Sequence, residues 1–134
     1  MITLLISKDI IDIFTDMVRS IKTEVAGFLL GTTSSDSVSV KEIVVGDNID
    51  SSPHSFRLDP YAVLHTYRLA ELLELEIVAL IHSHPAPPYP SVRDRNGMKL
   101  WPILWVIVSA VDMECRAWIL RGKGIEEVPI VLTE

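Results

Sequence analysis

Two histidines, His82 and His84, stand one residue apart after the apolar run 77–81. On a β-strand, residues i and i+2 point to the same face, roughly 6.6 Å apart. Two imidazoles at this spacing can bind one ion, and histidine nitrogen is a common zinc ligand. An ordinary pair of histidines has the same pattern, so the spacing alone is a weak signal.

Asp94 is the natural third ligand, because it lies ten residues after His84 on the first turn of a predicted helix. Two histidines and one carboxylate leave the fourth tetrahedral position open for water, which is the layout of a catalytic zinc site. Ser91 and Asp94 also match a capping box, which explains both residues without a metal. The two interpretations are compatible, since a capped helix can present Asp94 to an ion.

A zinc hydrolase also needs a base, and Glu24 is the candidate. Zinc lowers the pKa of a bound water to about 7, and a carboxylate can then accept its proton. Glu24 opens the mostly apolar segment 24–31, where burying a carboxylate without a task is costly. The alternative is a strand-end glutamate that faces solvent.

Composition limits the class of protein. A chain of 134 residues predicts a single domain over 1–134. The net charge of -6 and the lack of a Lys/Arg run argue against a nucleic-acid partner. The longest apolar stretch, 100–111, contains Pro102 and falls short of the ~20 residues that span a bilayer. The single cysteine, Cys115, allows no internal disulfide, so we expect a cytoplasmic protein with a buried thiol.

The remaining histidines and large apolar residues have simpler interpretations. His54 is expected in a solvent-exposed loop, and His65 is expected to be structural on the second helix. Trp101, Trp105 and Met98 follow the predicted metal loop, so one of them can line a substrate groove.

The elements that must position these residues follow from hydrophobic spacing and turn residues. Helices are predicted from the Ser7 cap to residue 21, over 59–75 and over 91–100. A turn is predicted over 32–37 and a Pro-rich loop over 85–90. Strands are predicted over 2–6, 24–30, 38–45, 76–81, 103–109, 115–121 and 128–132. The mixed order predicts an α/β or α+β fold with a largely antiparallel sheet.

Together these segments resemble the JAMM (MPN-plus) zinc metalloprotease family, specifically its small, single-domain prokaryotic members of archaeal type. The resemblance covers nearly the whole chain. In chain order, the matching segments are Glu24 with Gly27-Phe28-Leu29-Leu30-Gly31, residues 48–60, His82-Ser83-His84-Pro85, and Ser91-Val92-Arg93-Asp94.

The resemblance implies a cytidine-deaminase-like JAMM fold, with a curved, mainly antiparallel or mixed sheet flanked by helices. It implies one catalytic Zn²⁺ held by His82, His84 and Asp94. It implies Glu24 as the general acid/base and Ser91 as a hydrogen-bond donor in the oxyanion site. The loop between His84 and Ser91 is one residue shorter than is typical of the family.

The activity that the resemblance implies is cleavage after the C-terminal Gly-Gly tail of ubiquitin or of ubiquitin-like small modifiers, including their lysine conjugates. The chain lacks room for the long insertions of members that select ubiquitin linkages. Three alternatives remain: a non-catalytic MPN interaction scaffold, a processing peptidase for sulfur-carrier proteins, and a small-molecule amidase. A zinc nucleobase deaminase is excluded, because its Pro-Cys-x-x-Cys pair needs two cysteines. The oligomeric state is not predicted.

Overall fold

Three helices are interspersed among the strands in the computed structural model, which describes residues 2–21, 24–46 and 59–134. The helices in these ranges are α1 (Lys8–Ser20), α2 (Pro60–Leu73) and α3 (Val92–Leu100). The strands are β1 (Thr3–Ser7), β2 (Ala26–Thr33), β3 (Ser37–Gly46), β4 (Glu76–His84), β5 (Leu104–Ser109), β6 (Cys115–Arg121), β7 (Gly124–Val128) and β8 (Ile130–Thr133).

Side-chain caps begin each helix where the sequence predicts a start. The Ser7 hydroxyl accepts a hydrogen bond from the Ile10 amide at 3.2 Å, at the start of α1. The Asp59 carboxylate accepts one from the Tyr61 amide at 3.0 Å, and Pro60 occupies the first turn of α2. The preceding stretch 48–58, which carries part of the family resemblance, lies outside the described residues.

The strands form one mixed sheet in the order β7-β6-β5-β4-β2-β3-β1-β8. Four neighbouring pairs are antiparallel, whereas β4–β5, β3–β1 and β1–β8 are parallel. The strand with the two histidines, β4, therefore lies inside the sheet beside β2. The expected α+β fold with a mixed sheet flanked by helices is confirmed.

Apolar side chains cover both faces of the sheet. Leu29 and Ile81 face the cluster that includes Phe14 of α1. Their neighbours Phe28 and Leu80 face a second cluster, in which Met98 of α3 and Trp105 are fully buried. Because both faces are covered, the central strands are continuous apolar runs instead of alternating ones.

The predicted turn over 32–37 is too long, because β2 continues through Gly31 to Thr33 and β3 begins at Ser37. The register of β2 against β3 shifts between Leu30 and Gly31, where a Cβ at Gly31 would overlap the Ser39 carbonyl oxygen. Glycine is therefore required for close approach inside the strand and does not mark its end.

The predicted last strand over 128–132 is also wrong, because two strands meet there. Strand β7 pairs antiparallel with β6, and β8 pairs parallel with β1 at the opposite edge of the sheet. Pro129 separates them, and proline cannot donate a ladder hydrogen bond. No helix within residues 2–21, 24–46 and 59–134 is both long and apolar enough to cross a membrane.

Candidate metal centre

Strand β4 and helix α3 bring together His82, His84 and Asp94. The Nε2 atom of His82 lies 3.1 Å from Oδ1 of Asp94, and Nε2 of His84 lies 2.8 Å from Oδ2. One ligand atom from each of the three residues falls within 4.8 Å of the others. All three residues are buried.

The two histidines are held as neighbours on one face of β4. Their ring centroids are 4.8 Å apart. The ring of Trp105 on the adjacent strand β5 meets the His82 ring nearly perpendicularly, with centroids 5.7 Å apart. Trp105 is fully buried, so it forms a wall beneath His82 and restricts the orientation of that imidazole.

The carboxylate of Asp94 is held in its charged form. Burial by itself raises the pKa of Asp94, but hydrogen bonds from His82 and His84 outweigh burial and hold the pKa well below its usual range. Burial by itself lowers the pKa of His84, yet its hydrogen bond to Asp94 and the attraction of that negative charge raise it overall. These contacts therefore favour the protonated form of His84 and the charged form of Asp94.

Ser91 caps α3 and also fixes Asp94. The Ser91 hydroxyl oxygen accepts from the Asp94 amide at 3.1 Å, and the Ser91 amide donates to Oδ2 of Asp94 at 2.9 Å. The capping box that the sequence predicts is therefore present. The shorter loop from His84 to Ser91 is compatible with this geometry.

The chemistry of these donors fits a zinc ion. Two imidazole nitrogens and a carboxylate oxygen are a catalytic zinc ligand set, which leaves a position for water or substrate. The carboxylate aims one oxygen at each histidine, so the three donors already converge. The predicted trio is thus brought together, and its role as a metal site is developed as a proposal below.

Glu24 lies two residues before β2, which begins at Ala26, so it is outside the strand that the sequence predicts over 24–30. It lines a cleft of 430 Å³ together with His84, Ser91 and Arg93. The Glu24 side chain is 37% exposed, and its Oε2 lies 3.3 Å from Nη1 of Arg93. The structure therefore brings Glu24 to the same cleft as His84.

The Pro-rich loop 85–90 forms another wall of this cleft and is anchored to β6. Nε1 of Trp118 donates to the Pro88 carbonyl oxygen at 2.9 Å. The Tyr89 ring lies 5.5 Å from the Trp118 ring, and the Arg116 guanidinium lies 5.6 Å from the Tyr89 ring centroid. Tyr89 was not among the residues that the sequence singles out, because nothing local links it to β6.

The other candidates within the described residues do not line the cleft that Glu24 and His84 share. Met98 is fully buried, so the prediction that it can line a groove is wrong. Trp101 contacts Phe28 and lines a separate cavity beside α2. His65 is exposed on α2, and His54 lies outside the described residues. Burial, with the Glu114 charge nearby, raises the pKa of the Cys115 thiol to about 11, which does not suit a nucleophile.

The mixed sheet is flanked by helices, and Asp94 of α3 meets His82 and His84 at the end of the central strand β4. This combination is what the resemblance to the JAMM family implies. The chain belongs to the family of prokaryotic homologs of the JAB domain, whose model matches residues 9–121. The resemblance to the JAMM family in its small prokaryotic form is therefore confirmed.

Two known proteins are similar over nearly the full chain. A desampylase of Pyrococcus furiosus is 39% identical over 132 residues, which cover 97% of this chain and 91% of the relative. The solution structure of protein DSY2949 from Desulfitobacterium hafniense matches with a TM-score of 0.84 and 27% identity. That match covers 100% of this chain and 94% of the other.

Proposed function

We propose that this protein is a zinc-dependent isopeptidase that removes small ubiquitin-like modifier proteins by cleaving after their C-terminal Gly-Gly tails. The observation that carries the proposal is the convergence of His82, His84 and Asp94 within 4.8 Å, beside a cleft lined by Glu24 and Ser91. A buried trio of this kind with a nearby carboxylate has the ligands and the base that metal-assisted hydrolysis needs.

The substrate class is supported by the relative. The Pyrococcus furiosus protein is named a desampylase and shares 39% identity across 97% of this chain. We therefore assign small modifier proteins and their lysine conjugates as the substrates, with sulfur-carrier processing as the alternative on the same site.

In the proposed mechanism, His82, His84 and Asp94 would hold a zinc ion, which would polarise the scissile carbonyl and lower the pKa of water. Glu24 accepts the proton of the attacking water and passes it to the leaving lysine amine. The carboxylate is suited to both steps because it is partly exposed at the cleft.

Ser91 donates a hydrogen bond to the carbonyl oxygen as negative charge develops there. Its oxygen already accepts the Asp94 amide, and a hydroxyl that accepts one bond still has its own hydrogen to donate. Capping α3 and assisting the reaction are therefore compatible roles for Ser91.

The test replaces Glu24 with glutamine, which keeps the size of the side chain and removes its basicity. We expect Glu24→Gln to bind one zinc per chain and to cleave a lysine-linked modifier conjugate at least about 100-fold more slowly. Zinc is quantified by elemental analysis and cleavage by the release of intact modifier. Full activity in the zinc-loaded variant would remove Glu24 from the mechanism.

A further inference from the structure

Glu24 stands outside any regular element, so something must fix it relative to the histidines on β4. The residue between those histidines, Ser83, is 2% exposed and points away from them, because side chains alternate along a strand. Within the proposed mechanism Ser83 has no assigned task, and a buried hydroxyl needs a partner.

That partner is Val25, the residue next to Glu24. The Val25 amide donates to Oγ of Ser83 at 2.9 Å, and the Ser83 amide donates to the Val25 carbonyl oxygen at 2.9 Å. The ladder between β2 and β4 begins one residue later, where Ala26 pairs with His82. The Ser83 side chain thus extends the ladder by one hydrogen bond, directly beside Glu24.

A second contact holds the other end of Glu24. Nη1 of Arg93 lies 3.3 Å from Oε2 of Glu24, and the Arg93 side chain is only 14% exposed. Arg93 precedes Asp94 on the first turn of α3, so this ion pair joins the candidate base to the helix that carries a candidate ligand. The backbone of residue 25 is thus fixed from β4 and the Glu24 carboxylate from α3.

We propose that Ser83 and Arg93 are positioning residues for Glu24, and that they set the place of its carboxylate relative to the metal site. This inference rests on the proposed function. Its physical reason is that proton transfer needs a base held within hydrogen-bond reach of its target, and a displacement of about 1 Å can cost as much as 100-fold in rate.

Matched variants separate positioning from general damage. Ser83→Ala removes the acceptor of the Val25 amide, whereas Ser83→Thr keeps it. The added methyl group has room, since Ser83 lines a cavity of 90 Å³ with Val18 and Pro85. Arg93→Met removes the charge and keeps the aliphatic stem, whereas Arg93→Lys keeps a cation.

With a lysine-linked modifier conjugate, we expect Ser83→Ala and Arg93→Met each to lower kcat about tenfold or more. Zinc per chain should stay within about twofold of wild type in both variants, because neither residue is a candidate ligand. KM should also stay within about twofold in Ser83→Ala, because Ser83 does not line the cleft. Ser83→Thr and Arg93→Lys should recover most of the lost kcat. A kcat within about twofold of wild type in both damaging variants, or a loss matched by lost zinc, would overturn the proposal.

Hydrogen exchange tests the hydrogen bond from the Val25 amide to Ser83 without any measurement of activity. Hydrogen exchange of the Val25 amide should be at least about tenfold faster in Ser83→Ala than in wild type or Ser83→Thr. Unchanged exchange in Ser83→Ala would refute the tether, even if Ser83→Ala lowers the midpoint of thermal unfolding. Wild-type protein that binds zinc and cleaves no conjugate would instead contradict the proposed function, so the two failures are distinguishable.

Discussion

The carboxylate of Asp94 contacts three partners, which are the helix cap and the two histidines. Its Oδ2 atom accepts the Ser91 amide at 2.9 Å and lies 2.8 Å from Nε2 of His84, while Oδ1 faces His82. The helix cap therefore orients the group that we assign as a ligand, which is the usual role of hydrogen bonds around metal ligands. The capping box and the metal site, which compete as explanations of the sequence, are one arrangement.

Replacing Asp94 with asparagine separates these two roles. The amide oxygen of Asp94→Asn can still accept the Ser91 amide, but the charge that faces the histidines is lost. We expect zinc affinity to fall at least about 100-fold, since even outer-shell partners contribute about 10- to 100-fold. Chelator competition measures the affinity, and circular dichroism checks that helix content is kept.

Ser91→Ala is the matched control for that change. It removes the cap and should lower the free energy of unfolding by about 0.5–2 kcal/mol. Because Ser91→Ala keeps the backbone amide that donates to Oδ2 of Asp94, the zinc affinity of this variant should change far less than that of Asp94→Asn. Zinc binding by Asp94→Asn as tight as wild type would argue against Asp94 as a ligand.

The protonation of His84 predicts how zinc binding depends on pH. Burial lowers the pKa of His84, but Asp94 outweighs it and raises the pKa overall. In the protein without metal, this pair stabilises the fold below the unfolded pKa of about 6.5 and loses that effect as pH rises through the higher folded value. Zinc needs neutral imidazole, so the proton on His84 must leave.

We therefore expect the apparent zinc affinity to rise about tenfold per pH unit until pH exceeds the pKa of His84. Chelator competition between about pH 6 and about pH 8 measures this slope. A zinc affinity that does not change over that range would show that no proton is displaced from the site.

The types of the candidate site residues could be predicted from the sequence, whereas the contacts that hold them could not. His82, His84 and Asp94 lie within 12 positions of one another, and strand and helix geometry relate them directly. The Ser83–Val25 and Arg93–Glu24 contacts join residues 58 and 69 positions apart. Such contacts depend on which strands become neighbours, and spacing in one sequence does not specify this.

At the scale of elements, strand β2, which follows Glu24, pairs with β3 on one side and with β4 on the other. Gly27 pairs with Val45 on one side and Ile81 on the other. A Cβ at Gly27 would lie 2.6 Å from the Val44 carbonyl oxygen, too close without a shift of β3. Close backbone approach therefore explains this glycine within an otherwise apolar strand.

Gly27→Ala should destabilise the fold by about 1–3 kcal/mol, as expected for overpacking against backbone. The free energy of unfolding is measured by urea denaturation. Gly124→Ala on β7 is the matched control, since a Cβ there meets nothing within 4 Å, and its effect should stay within about 0.5 kcal/mol. Equal effects of the two changes would contradict the close approach of β2 and β3.

Local signals in the sequence predict where the helices begin, whereas tertiary pairing decides where the last strands lie. Ser7, Asp59 and Ser91 cap the helices, and each was visible as a start signal. The run around Pro129 was predicted as one strand, yet its two sides pair with β6 and β1 at opposite edges of the sheet. The two strands lie at opposite edges of the sheet, and the hydrophobicity of the sequence does not report the sheet order.

At the scale of the whole molecule, the candidate metal site joins separate parts of the fold. His82 and His84 belong to the central strand β4, and Asp94 belongs to α3, which packs through Met98 against one face of the sheet. A ligand held by both elements binds the folded chain and not the unfolded one, so it should stabilise the whole fold.

We therefore expect zinc to raise the Tm of metal-free protein. Free zinc at about 100 times its Kd corresponds to about 2.7 kcal/mol, or roughly 5–10 °C for a chain of this size. Calorimetry with and without zinc measures the shift. His82→Ala is the control and should show a much smaller response, while an equal response would place zinc elsewhere.

The most direct test of the account is to incubate one lysine-linked ubiquitin-like conjugate with metal-free protein and with the same protein reloaded with zinc, and to weigh the products by mass spectrometry. The account predicts that only the zinc-loaded protein releases the modifier, with its Gly-Gly tail intact and ending in a free carboxylate. Equal release without zinc, or cleavage at another bond, would contradict it.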